Sequence, residues 1–161
     1  MPSAYTHNMK KGLLLITVIT AVLISCKDDN KSAIFGQADH DTQARMKDTA
    51  NYTTIKWADS TKDFGSVIFG EKVKIVFNFI NSGNKPLYIS NVRPGCGCTL
   101  ADYTKSAVLP GQQGQVVAEY DSNHGAPGQT IHKTVSVTCN AKNQSTSILT
   151  FSGLIKPKPK A

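Results

Sequence analysis

The chain has 161 residues, 40% of them hydrophobic and 18% charged, with 12 glycines. This length suits one ordinary domain with tails and leaves no room for a large catalytic scaffold. The apolar content is enough for a packed core and excludes a wholly disordered chain. A formal net charge of +7, from 18 Lys and Arg against 11 Asp and Glu, would suit a nucleic-acid binder if the positive residues clustered on the folded part.

They do not cluster there. Met9-Lys10-Lys11 opens a stretch from Gly12 to Ser25 whose only polar members are Thr17, Thr20 and Ser25, and Cys26 follows. A basic start, a short apolar run and a small residue before the break predict an export signal over 1–25. The run falls short of the ~20 apolar residues of a comfortable membrane-spanning helix. Residues 1–8 read as a start-site extension. Leu23-Ile24-Ser25-Cys26 resembles the lipobox of bacterial lipoproteins. The resemblance implies cleavage before Cys26 and acylation of its thiol, palmitate being a typical chain, so that the membrane becomes a partner through the lipid. Lys27-Asp28-Asp29 resembles the short signal that sends some Gram-negative lipoproteins to the outer face of the outer membrane. Surface-facing and periplasm-facing placements both stay open.

Residues 26–52 are polar and predict a flexible, lipid-anchored tether with a reach of about 25–30 Å. His40 within it, beside two aspartates, reads as a solvated histidine. Without 1–25 the chain loses Lys10 and Lys11 and no acid, which leaves +5, and Lys156, Lys158 and Lys160 lie in a Lys-Pro tail over 156–161. The domain between tether and tail, 53–155, is therefore close to neutral, and nucleic acid is not an expected partner.

Short apolar segments separated by turn residues predict an all-β, immunoglobulin-like antiparallel sandwich of seven to eight strands. The expected strands are 54–59 with a continuation at 63–68, then 72–81, 86–92, 106–109, 114–121, 130–140 and 146–155. In the third segment, Val73, Ile75, Phe77 and Phe79 share one face by the period of two. In 130–140, Ile131, Val135, Val137 and Cys139 point inward, and Lys133 breaks the pattern, which predicts a bulge or an edge placement at that end. Asn81-Ser82-Gly83-Asn84, Leu109-Pro110-Gly111 and Gly125-Ala126-Pro127-Gly128 are expected turns. Trp57 and Tyr52 are expected to cover the sandwich edge.

Phe64-Gly65-Ser66-Val67, Val73 to Asn81, Leu87-Tyr88-Ile89, Cys96-Gly97-Cys98-Thr99 and Leu109-Pro110-Gly111, in that order, resemble the bacterial domain-of-unknown-function family 1573. Related modules belong to the wider group of immunoglobulin-like domains of the ASPM, SPD-2 and hydin type. The resemblance implies an exported sandwich, often a lipoprotein, and implies no activity. Cys139 departs from it, as relatives more often carry a polar residue there.

The chemistry rests on cysteine. Cys96 and Cys98 flank Gly97 in a loop after a strand, and three readings compete: a disulfide to Cys139, a soft-metal or redox site, and a turn whose two thiols pair with each other. If 86–92 lies antiparallel to 130–140, Cys139 sits some 20–30 Å from the loop, too far for a bridge that needs Cα atoms within about 7 Å. Cys139 then reads as a small buried hydrophobe. The same topology brings the 122–129 turn and His124 to the Cys-Gly-Cys end. Two thiolates and an imidazole would suit Cu(I) or Zn(II), with Asp102 or Asp121 as a fourth ligand.

No serine, histidine and aspartate fall in a hydrolase order, and there is no phosphate-cradling glycine loop and no HExxH. The carboxylates Asp59, Asp63, Glu71, Asp102, Glu119 and Asp121 are scattered. The expectation is a non-enzymatic cell-envelope lipoprotein that binds an envelope protein or a glycan, with a metal-binding or thiol-redox role for Cys96, Cys98 and His124 as the alternative.

Overall fold

The computed structural model describes residues 44–45 and 48–160. The expected signal segment 1–25, Cys26 and the tether as far as residue 43 lie outside the described residues.

Eight strands form two four-stranded sheets: β1 (Ile55–Trp57), β2 (Thr61–Ile68), β3 (Lys72–Asn81), β4 (Ile89–Pro94), β5 (Thr99–Tyr103), β6 (Gln113–Asp121), β7 (Thr130–Cys139) and β8 (Thr146–Lys156). One sheet has the order β1-β3-β6-β5 and the other β2-β8-β7-β4. The expected all-β sandwich is observed. Alternation explains it: on β3, Ile75, Phe77 and Phe79 are buried, and on β6 so are Val116, Ala118 and Tyr120. They meet Leu149, Phe151 and Ile155 of β8 and Ile131, Val135 and Val137 of β7 in a single core. Removing this apolar surface from water, at about 25 cal/mol per Å², is the main term that holds the two sheets together.

Four expectations need correction. The segment at 63–68 is not a continuation of the first strand, because β1 pairs with β3 while β2 crosses to the other sheet. There it lies parallel to β8; the other strand pairs among the described residues are antiparallel, and an isolated bridge joins Thr53 and Ala141 in parallel. The segment 106–109 is not a strand, and Val108 makes only an isolated bridge to Leu87. The strand in that part of the chain is β5, which alternation had not marked. Lys133 lies in no bulge, since β7 pairs with β8 in unbroken register from Thr130 to Thr138. The edge placement is observed instead: β4 ends at Pro94 opposite Val135, so β7 has no β4 partner beside Lys133.

The end of the expected tether is tied to the sandwich. Arg45 donates from Nη1 to the Tyr88 hydroxyl at 3.2 Å and lies over the Tyr88 ring. Asp48 caps a short 3-10 turn, Thr49–Asn51, by accepting from the Ala50 N–H. The Asn140 amide donates to the Asn51 and Pro86 carbonyls at 2.7 and 3.0 Å, and its oxygen accepts from the Tyr88 N–H at 2.8 Å. Trp57 closes the β1 edge: its ring packs edge-on against Phe79 at 5.1 Å, and its Nε1 donates to Ser147 Oγ of the opposite sheet at 2.9 Å. Among the described residues no helix is long and apolar enough to cross a membrane.

Candidate functional site: the Cys-Gly-Cys corner

Gly95 to Cys98 is the segment that carries the chain from β4 in one sheet to β5 in the other. Such a corner must be held from both sides, and it is. The Gly95 N–H donates to the Thr134 carbonyl of β7 at 2.9 Å, and the Cys98 carbonyl accepts from the Asp121 N–H at the end of β6 at 3.1 Å. Glycine is required at 95 because a Cβ there would press on the Thr134 hydroxyl and carbonyl.

Within the corner Cys96 and Cys98 form a disulfide across one residue, with Cα atoms 5.3 Å apart. The two sulfurs have unlike surroundings. Cys98 is 7% exposed and belongs to the core, whereas Cys96 is half-buried and packs on the core from outside. Gly97 is exposed, and apart from its two chain neighbours nothing lies within 4 Å of where its Cβ would project. Thr99, the first residue of β5, is buried, and its Oγ1 lies 3.6 Å from Cys96 Sγ and 3.8 Å from Cys98 Sγ. Disulfide sulfurs carry no hydrogen, so in both contacts the hydroxyl is the donor.

His124 ends the 3-10 turn Ser122–His124, which starts directly after the residue that holds Cys98. Topology thus brings it to the right end of the sandwich, but it is exposed, and among the described residues no three His, Cys, Asp or Glu side chains gather around a metal-sized site. The two suggested fourth ligands are engaged elsewhere. Asp121 accepts from the backbone and side-chain N–H groups of Asn123, both at 2.9 Å, and the backbone N–H first of all holds its carboxyl below the usual range. Asp102 accepts from the Tyr103 N–H and pairs with Lys105. In the disulfide form neither sulfur is a thiolate, the state that metal binding requires.

Cys139 is a free, buried thiol that donates to the Gln144 carbonyl at 3.5 Å, and burial pushes its pKa up. It stands opposite Ile89, four residues along β7 from the Pro94–Val135 pair. At ~3.3 Å per residue this separation is shorter than the expected 20–30 Å and still rules out a bridge to the loop.

Thr99 and Thr134, to which the sequence pattern assigns no role, both contact the corner. A β-branched hydroxyl directly after the second cysteine, at the first inward position of a strand, was the available signal.

The family described as "Protein of unknown function (DUF1573)" matches residues 55–155. The chain belongs to this family. No curated protein matches the sequence. Among solved structures, a protein of unknown function from Porphyromonas gingivalis W83 is 19% identical over 67% of this chain and 49% of that one, with a TM-score of 0.58. The chain thus spans about half the length of that protein. The ASH/PapD-like domain 7 of human CEP192 is 11% identical over 68% of this chain and 89% of that domain, with a TM-score of 0.52. At these identities the likeness is one of fold. The matched 55–155 segment includes the whole Cys-Gly-Cys corner.

Proposed function

We propose that this DUF1573 chain is a membrane-anchored cell-envelope lipoprotein whose sandwich is a non-catalytic binding module. The observation that carries the binding role is the β5 edge. Among the described residues β5 lies at the end of its sheet, beside β6, and Leu100 on its outer face is 55% exposed. Beside it a groove of about 380 Å³ is lined by Lys74, Val76, Leu100, Asp102, Val117 and Glu119. A strand at the edge of a sheet is a template for pairing with another chain, and an exposed apolar side chain such as Leu100 beside charged ones gives such a pairing its specificity. The anchor rests on the 9–26 segment, whose lipobox-like Cys26 would hold the protein through two or three acyl chains, each methylene contributing about 0.8 kcal/mol. A disulfide in the domain accords with an oxidising compartment.

The test uses whole cells of a Gram-negative host expressing the full chain. Labelled palmitate should enter the protein and be lost in Cys26→Ala. A photoreactive residue at position 100 should give a discrete cross-linked species, and one at Lys142, away from β5, should not. Equal cross-linking from both positions, or none from position 100, would overturn the edge-strand role. Protease shaving of intact cells then separates surface from periplasmic facing.

A further inference from the structure

We propose that the Cys96–Cys98 disulfide is a thiol-exchange site that oxidises a dithiol in a partner polypeptide, with Cys96 Sγ the atom attacked and Thr99 the donor to the leaving sulfur. The inference goes beyond the binding role and needs no occupant on the β5 edge.

Exchange proceeds by in-line attack of a thiolate on one sulfur of a disulfide while the other leaves. Access therefore decides which sulfur is attacked. Cys98 is buried in the core, and Cys96 is half-buried at its rim. Gly97, between the two cysteines, is exposed and carries no side chain. An incoming thiolate meets Cys96, so the bond it breaks places the electron pair on Cys98 Sγ.

A sulfur anion inside an apolar core is costly unless a donor faces it. The Thr99 hydroxyl is that donor: its oxygen lies 3.8 Å from Cys98 Sγ and 3.6 Å from Cys96 Sγ, and its single hydrogen can turn to Cys98 as the bond opens. The corner need not move, because Gly95 is held by Thr134 and Cys98 by Asp121 through backbone bonds that exchange leaves intact.

The partner thiolate forms a bond to Cys96 Sγ, the Cys96–Cys98 bond breaks, and Cys98 Sγ takes the electron pair and then a proton. The partner's second thiolate attacks the partner sulfur of the mixed disulfide, closing the partner's own disulfide and releasing Cys96 as a thiolate. The partner dithiol is oxidised, and Cys96 and Cys98 are left as a dithiol after one turnover.

The experiment mixes the oxidised full chain, in detergent, with a fluorescent peptide carrying two cysteines and follows peptide oxidation. A single-cysteine version of the peptide traps the mixed disulfide for peptide-level mass spectrometry, which distinguishes Cys26, Cys96, Cys98 and Cys139. The expected result is one oxidised peptide per chain, a mixed disulfide on Cys96, and exchange faster than that of an unstructured Cys-Gly-Cys peptide. Thr99→Val should slow the reaction roughly tenfold, the weight of one hydrogen bond to a charged sulfur, while Thr99→Ser restores it. Thermal melting of both variants checks the fold. A mixed disulfide on Cys98, or a rate no faster than the free peptide's, overturns the proposal. An unchanged rate in folded Thr99→Val overturns the part given to Thr99. If Thr99→Val does not fold, the site of attack on the native chain still decides the matter.

Discussion

Asn81 and Tyr120 are both fully buried polar residues, and they differ in what their polar atoms reach. The Asn81 amide donates to the Lys85 and Val108 carbonyls at 2.7 and 2.8 Å, and its oxygen accepts from Thr53 Oγ1 at 2.7 Å and the Gly83 N–H at 3.1 Å. One side chain thus satisfies the backbone of the 82–85 turn, the Leu87–Val108 bridge and the segment leading into β1. Asn81→Ala orphans the Lys85 carbonyl, the Gly83 N–H and the Thr53 hydroxyl, each at about 1–3 kcal/mol, while the Val108 carbonyl keeps the Leu87 N–H, and a total loss of about 3 kcal/mol or more is expected. Among the described residues nothing bonds to the Tyr120 hydroxyl. Burial first, and then the charge of Asp121, raises its pKa, so it stays neutral at all ordinary pH. Tyr120→Phe should leave stability within about 0.5 kcal/mol of the native value or raise it, because no bond is lost and a desolvated hydroxyl is removed. Urea unfolding of both variants checks the pair. A loss above about 1 kcal/mol in Tyr120→Phe would show that the hydroxyl has a partner. From sequence, Asn81 was legible only as the first residue of a turn. Two of its four partners lie in the turn itself, but Thr53 and Val108 are 28 and 27 residues away, and no local pattern announces them.

At the scale of elements, β3, β6, β7 and β8 were legible because apolar residues recur at a period of two along their inward faces, with Lys133 of β7 the exception. β5 was not, because its alternation runs against composition: Thr99 faces in and Leu100 faces out. The apolar run Ala107-Val108-Leu109 looked more strand-like, yet Pro110 and the turn after it stop the ladder at a single bridge. The parallel pairing of β2 with β8 was equally hidden, since alternation assigns a face and says nothing about direction. That pairing depends on a close approach. Gly153 of β8 is buried, and a Cβ there would run into the Phe64 ring of β2. The ring is fixed by Tyr120 at 6.4 Å and Phe151 at 6.4 Å, so it has little room to yield. Gly153→Ala should therefore cost about 1–3 kcal/mol through overpacking, and Phe64→Leu in the same chain should recover part of it. Thermal unfolding of the two single variants and the double variant measures the coupling, and simple additivity would mean that the alanine is accommodated elsewhere.

For the molecule as a whole, the question is what the Cys96–Cys98 bond does for the sandwich. A bond between the two cysteines was one of three readings the sequence left open, and topology already set Cys139 apart from them. Their setting at the passage from one sheet to the other was not legible, because it depends on β5. A disulfide that encloses one residue restrains little of the unfolded chain; the loop-entropy relation gives about 1.6 kcal/mol for so short a ring. The corner also has two backbone bonds of its own, from Gly95 to Thr134 and from Asp121 to Cys98. Cys98 as a thiol remains compatible with its buried site, because a free cysteine packs as a small hydrophobe, just as Cys139 does. Reduction should therefore lower stability by about 1–2 kcal/mol and the melting temperature by about 5–15 °C, with the sandwich still folded. Melting of the full chain with and without reductant, followed by far-ultraviolet circular dichroism, checks this. Collapse of the β signal on reduction would make the bond a structural staple, because a site that exchanges disulfides must survive in both redox states. A small shift leaves the corner free to open and close on a core that stays packed, as exchange at Cys96 requires.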